Sequence, residues 1–153
     1  MYSSAKDSLM RITLLGPAAP SPELRFPFYA YRIPAGFPSP AQDHLEDPIS
    51  LDELLELRAP HTFLARADGH SMTGVGIFDQ DLLVIDRSRL PEPGHVVIAV
   101  LNNEPLVKIF DRQHDKVLLR SANPHFAPRY LLEGDELNVW GVVRYSIRSH
   151  GHY

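Results

Sequence analysis

Between Thr62 and Ile147, short runs rich in Val, Ile, Leu and Phe alternate with clusters of Gly, Pro, Asn and Asp. Runs of this length and residue type, bounded by turn formers, predict strands over Thr62–Ala67, Asp81–Asp86, His95–Leu101, Leu106–Phe110, Lys116–Ser121 and Leu137–Ile147. The Asn102–Asn103 pair between two of these runs predicts a hairpin. Helical spacing stands out at one place. Ser50 followed by Glu53 forms a capping box, and Leu51, Leu54, Leu55 and Arg58 fall on one helical face, which predicts a short helix over 51–58 ended before Pro60. Six or so short strands and one short helix make a mainly β domain, twisted and partly closed.

The first third of the chain has a different texture. Eight of the fourteen prolines lie at positions 17, 20, 22, 27, 34, 38, 40 and 48. Each lacks an N–H donor and has a fixed φ, so this stretch is expected to be an extended, loosely held arm rather than a helix or a central strand. The arm also has its own charge: residues 1–35 carry four Lys or Arg against two Asp or Glu, and residues 36–153 carry eleven against seventeen.

The 153 residues suit one domain, whose core is feasible at this size. The absence of cysteine excludes disulfide scaffolds, thiolate metal sites and cysteine nucleophiles, and fits a reducing compartment. The longest aliphatic run, Val96–Leu101, is far shorter than the roughly 20 residues that span a bilayer. Leu9–Leu15 is interrupted by Arg11, which makes it a poor signal-peptide core, so a cytoplasmic location is expected. A net charge of −4 argues against direct DNA binding, because that affinity comes from Lys and Arg neutralising phosphates. The histidines show no metal-ligand spacing, and neither a metal nor a cofactor is expected.

Three features carry candidate chemistry, and each also has a plain structural reading. Ser71 lies in the glycine-rich loop Gly69-His70-Ser71-Met72-Thr73-Gly74-Val75-Gly76, where a serine is either a turn former or an exposed nucleophile. Thr73 stands where a nucleophile elbow needs glycine, so the loop is not of the α/β-hydrolase kind. Lys108 lies in the apolar run Leu106-Val107-Lys108-Ile109-Phe110, sharing a strand face with Leu106 and Phe110. It is an edge-strand gatekeeper, a snorkelling lysine or a desolvated base. Only three of the fifteen cationic side chains are lysine, and lysine can give up its proton on burial where arginine cannot. Ala35–Gly36, flanked by Pro34 and Pro38, is either a linker or a peptide bond with no side chain to block attack.

Taken together, these features resemble the UmuD branch of the LexA-like, self-cleaving Ser–Lys proteins of the bacterial SOS response. The resemblance runs from about Phe26 to Val143 and rests on five segments: Ala35–Gly36 followed by FPSPAQD, GHSMTGVGIFDQDLLVID from Gly69, LVKIF around Lys108, SANPHFAP from Ser121, and LNVWGVV from Leu137. Gly74, His70 and Gln80 depart from the residues common at those positions.

The resemblance implies a fold like the LexA C-terminal domain, with an N-terminal arm, residues 1–35, removed on self-cleavage and a β-rich peptidase domain, residues 36–153. It implies Ser71 as nucleophile, Lys108 as general base and Ala35–Gly36 as the scissile bond. It also implies partners: a RecA filament on single-stranded DNA that promotes cleavage, a second copy in a homodimer, and a UmuC-like translesion polymerase served by the trimmed dimer. The proline-dense arm shows no helix-turn-helix, which argues against a repressor. Signal peptidases use a similar pair but need a membrane anchor. A β-rich partner subunit that no longer cleaves, or a LexA-type regulator without a DNA-binding domain, are the competing expectations.

Overall fold

The computed structural model describes residues 10–18, 25–29 and 45–151. The chain forms two compact units, one of residues up to Pro17 together with Pro60 onward, the other of Ala18–Ala59. Ala35 and Gly36 lie outside the described residues.

In the smaller unit, β2 (Arg25–Tyr29) pairs antiparallel with β3 (Leu45–Ser50), and α1 (Leu51–Leu54) follows directly. Ser50 caps α1 as its spacing predicts, its Oγ accepting the Glu53 N–H at 3.3 Å. The helix is shorter than the expected 51–58. Glu56 adopts a left-handed φ of 54°, the Glu56 N–H donates to the Glu53 carbonyl and the Leu57 N–H to the Asp52 carbonyl. These two bonds are the Schellman pattern, which satisfies the last carbonyls and ends the helix before Pro60 can.

The larger unit is one antiparallel sheet built from β1 (Arg11–Pro17), β4 (Thr62–Asp68), β5 (Leu82–Asp86), β6 (Val96–Leu101), β7 (Glu104–Gln113), β8 (Lys116–Arg120), the two-residue β9 (Arg129–Tyr130) and β10 (Leu137–Ile147). Its order is β1-β4-β5-β10-β6-β7-β8-β9, and β1 also pairs with β7 through Arg11↔Leu106. The first six of these strands therefore close on themselves as a barrel, with β1 as the closing strand. The expected strands between Thr62 and Ile147 are all present, with ends shifted by a few residues. The β6–β7 hairpin turns on Asn102 and Asn103, with φ of 50° and 67°, the paired left-handed geometry that suits strand twist.

Residues 11–17 differ from the expectation of loosely held chain. Met10-Arg11-Ile12-Thr13 alternates inward and outward with a period of two: Met10 is buried and Ile12 half-buried, whereas Arg11 and Thr13 are exposed. That alternation lets β1 pair with β4 over six positions, from Arg11↔Asp68 to Pro17↔Phe63, with an irregularity between Leu14 and Gly16.

Two apolar clusters occupy opposite faces of β6 and β7. Met10, Ala65, Ala67, Met72, Leu83, Ile85, Ile98, Val107 and Ile109 belong to one. Val97, Ala99, Leu101, Leu106, Phe110, Leu119 and Val142 belong to the other. In β10, a Cβ on Gly141 would come within 2.6 Å of Ile85 Cγ2, so glycine permits the close approach of β10 to β5 beside its register shift.

Candidate active site

The chain leaves β4 at Asp68 and turns at Gly69, whose φ of 117° suits glycine. A 3₁₀ turn, Thr73–Val75, then ends at Gly76, φ 81°. Ser71 sits at the start of this loop with none of its surface exposed, and Met72 beside it is equally buried. Ser71 thus begins where β4 delivers it and is held down by its neighbour's burial. The Ser71 Oγ accepts the backbone N–H of Met10 at 3.1 Å.

Lys108 lies in the interior of β7, which is flanked by β6 and β8, and only 5% of its surface is exposed. It is neither an edge gatekeeper nor a side chain reaching into water. As the alternation predicts, it shares the face of Leu106 and Phe110. Burial lowers the pKa of its ammonium, because desolvation penalises the charged form. No carboxylate forms an ion pair with it among the described residues.

One residue bonds both the serine and the lysine's strand. Met10 donates its N–H to Ser71, and its carbonyl accepts the N–H of Val107, next to Lys108, at 3.2 Å. The serine at the end of β4 and the lysine strand β7 are therefore brought to either side of β1. Ser71 and Lys108 are not hydrogen-bonded to each other in this arrangement. Instead the Lys108 Nζ donates to the Ser121 Oγ at 2.6 Å.

Ser121 is the residue that reading the sequence missed. It follows the last residue of β8, Arg120, and lies in the SANPHFAP segment whose role was left unassigned. The two residues after it fix the serine loop: the Gly74 N–H donates to the Ala122 carbonyl at 2.6 Å, and the Asn123 side-chain amide donates to the His70 carbonyl at 3.2 Å. Residues 121–123 therefore hold the lysine through the Ser121 side chain and the serine loop through the Ala122 carbonyl and the Asn123 side chain. A Cβ on Gly74 would collide with the Ala122 carbonyl oxygen, which gives a physical reason for glycine at this position.

Below the loop, Asp81 is 1% exposed and forms a two-pronged pair with Arg148, at 2.9 and 3.1 Å. It also accepts the Phe78 N–H at 2.9 Å. Burial alone would raise its pKa, but Arg148 and the Phe78 amide outweigh burial and hold it below the ordinary carboxylate value. The Arg148 guanidinium also stacks over the Phe78 ring, 3.7 Å from its centroid, and donates to the Gly76 carbonyl.

A cleft of about 530 Å³ reaches Lys108 and Ser121, with Leu106, Leu119 and Phe126 among its apolar walls. Ser71 is not one of its described lining residues. No group of three potential metal ligands occurs among the described residues, and no described helix is long and apolar enough to cross a membrane.

A mainly β barrel with a buried serine in the loop after β4 and a buried lysine on β7, on either side of β1, defines the class, and the chain belongs to the Peptidase S24-like family, which it matches over residues 27–144. Its fold is accordingly of the LexA C-terminal kind. Among individual relatives, it is 34% identical to Protein MucA of Salmonella typhimurium over 143 residues, covering 92% of this chain and 97% of that one. It is 37% identical to Protein ImpA of Salmonella typhimurium, covering 86% and 90%. It is also 32% identical to the LexA repressor of Bordetella pertussis, covering 92% of this chain and 68% of the repressor.

Proposed function

We propose that the chain is a self-cleaving Ser–Lys peptidase that cuts its own Ala35–Gly36 bond. The observation that carries this reading is a lysine buried without a carboxylate partner among the described residues, its pKa lowered by that burial, on the other side of one strand from a buried serine. A buried amine is costly as a mere structural element, since the charge must be desolvated or given up. As a base it is suited to its place, because the neutral form is the one burial favours.

In the reaction, neutral Lys108 takes the Ser71 hydroxyl proton as Oγ attacks the Ala35 carbonyl carbon. Negative charge collects on the carbonyl oxygen, which backbone N–H groups near Ser71 should hold. The Lys108 ammonium then passes its proton to the Gly36 nitrogen as the Ala35–Gly36 bond breaks, leaving Ser71 acylated by residues 1–35. Water, deprotonated by the same lysine, hydrolyses that ester. The Ser121 hydroxyl accepts one N–H of Lys108 and so aims the nitrogen lone pair. Tethering substitutes for a strong catalyst, since effective molarities can reach about 10⁵ M or more.

By resemblance to UmuD-like proteins, cleavage is promoted by a RecA filament on single-stranded DNA. The trimmed product, residues 36–153, then dimerises in the cytoplasm and serves an error-prone translesion polymerase. The test is intact mass. Purified protein held at pH 10, where more lysine is neutral, should yield a fragment beginning at Gly36, and Gly36→Glu should block its formation. A Gly36→Glu chain cut at the same bond, or wild type cut elsewhere in the arm, would refute the scissile-bond assignment.

A further inference from the structure

Strand β1 lies where a substrate would have to lie. A peptide cut by Ser71 with Lys108 as base has to reach both the end of β4 and β7, and the gap between them is the place of a strand that pairs with both. That space is filled. Met10 donates to the Ser71 Oγ, its carbonyl takes the Val107 N–H, Arg11 pairs with both Asp68 of β4 and Leu106 of β7, and the Met10 side chain is wholly buried in the core cluster.

We infer that the gap between β4 and β7 is a binding groove for an extended peptide, that β1 is its resting occupant, and that β1 must leave before the scissile segment can enter. This rests on the self-cleavage reading and adds its regulation. Two observations point the same way. Ser71 has no exposed surface, and an attacking oxygen must come within roughly 3 to 3.5 Å of a carbonyl carbon, so the serine is closed to any substrate as it stands. Ser71 and Lys108 meanwhile share no hydrogen bond, and the Ser71 Oγ is engaged by the Met10 N–H instead, so the pair is unloaded while β1 is seated.

The groove recognises backbone first. An added antiparallel strand gains ladder bonds from both walls, and its inward side chains, at the places of Met10 and Ile12, meet apolar surface. The ligand class is thus an extended segment with apolar residues at alternate positions. Since β1 lies before residue 36, self-cleavage at Ala35–Gly36 would also cut the covalent link that returns β1 to the groove. The rate of cleavage is set by the fraction of molecules in which β1 is out.

The chain has no cysteine, so a single engineered pair can lock the strand. Thr13 and Arg66 are registered partners across β1 and β4, and both are exposed. In the double variant Thr13→Cys, Arg66→Cys, the oxidised protein should cleave at least tenfold more slowly than the same protein after reduction. Equal rates in the two forms would overturn the inference, and failure of the thiols to join under oxidant would contradict the pairing itself. A second variant, Ile12→Asp, places a charge on the inward face of β1 and should speed cleavage severalfold over wild type; an unchanged rate would also count against the inference. Should neither wild type nor the reduced variant cleave at all, the self-cleavage reading falls first and this one with it.

Discussion

The loop that carries Ser71 and the strand that carries Lys108 are built on opposite principles. The loop depends on backbone geometry: a left-handed Gly69, a Gly74 pressed on the Ala122 carbonyl that accepts its N–H, and a hydrogen bond from the Asn123 side chain to the His70 carbonyl. The strand depends on environment: a regular interior β7 places Lys108 among Leu106, Phe110 and Leu119, and burial there changes the chemistry of the amine. A nucleophile needs a position, and a base needs a pKa. Substitutions should therefore damage the loop through shape and the strand through charge.

The largest effect should come from Ser71→Ala. It removes the oxygen proposed to attack, and cleavage at Ala35–Gly36 should fall to background by mass spectrometry while the circular dichroism spectrum stays that of wild type. Next is Gly74→Val. Its side chain must displace residues 121–123, so stability should drop by about 1 to 3 kcal/mol in urea unfolding. Cleavage should fall with it, because both Ser71 and Lys108 depend on that segment. A Gly74→Val protein as stable as wild type would show that the loop tolerates more than its contacts suggest.

Ser121→Ala sharpens the comparison on the lysine side. Loss of one hydrogen bond, worth about 1 to 1.5 kcal/mol, should slow cleavage roughly tenfold. Its signature separates orientation from simple damage. An acceptor favours the ammonium, so removing it should move the midpoint of the rate profile to lower pH even as the plateau falls. A fall in plateau with an unmoved midpoint would leave Ser121 as packing only.

The smallest effect on cleavage should come from the Asp81–Arg148 pair, which lies below the loop. Asp81 has a depressed pKa, so the stability it contributes is fully present above the unfolded value of about 3.9 and is lost as pH falls through the lower folded value. Wild type should thus lose more stability than Asp81→Asn between about pH 4 and pH 2, followed by fluorescence of Trp140, with alkaline cleavage little changed in either.

The strands from Thr62 to Ile147 were readable because alternation and turn residues act locally. So was the face of Lys108, which follows from a period of two. Ser121 was not readable, since its contact with Lys108 joins positions that only the β7–β8 pairing, Ile109↔Arg120, brings together. The role of residues 10–17 was hidden for a different reason. Met10, Ile12 and Leu14 alternate with Arg11 and Thr13 as a strand should, but the prolines that follow set the expectation for the whole arm. A short alternating run was outweighed by the composition around it, and tertiary pairing with β4 decided the outcome. The helix was overextended because glutamate at position 56 carries no sequence sign of the left-handed turn it makes.

The most direct test of neutral Lys108 as the base for Ser71 is the rate of Ala35–Gly36 cleavage as a function of pH, in wild type and in Lys108→Arg. The wild-type rate should climb with pH and level off at a midpoint below the ordinary lysine pKa of about 10.4, because burial favours the neutral amine. Lys108→Arg keeps the charge but cannot lose its proton, so its rate should be lower by about 10² to 10⁴ and show no such climb. A wild-type rate indifferent to pH, or an arginine variant that cleaves as wild type does, would contradict the account.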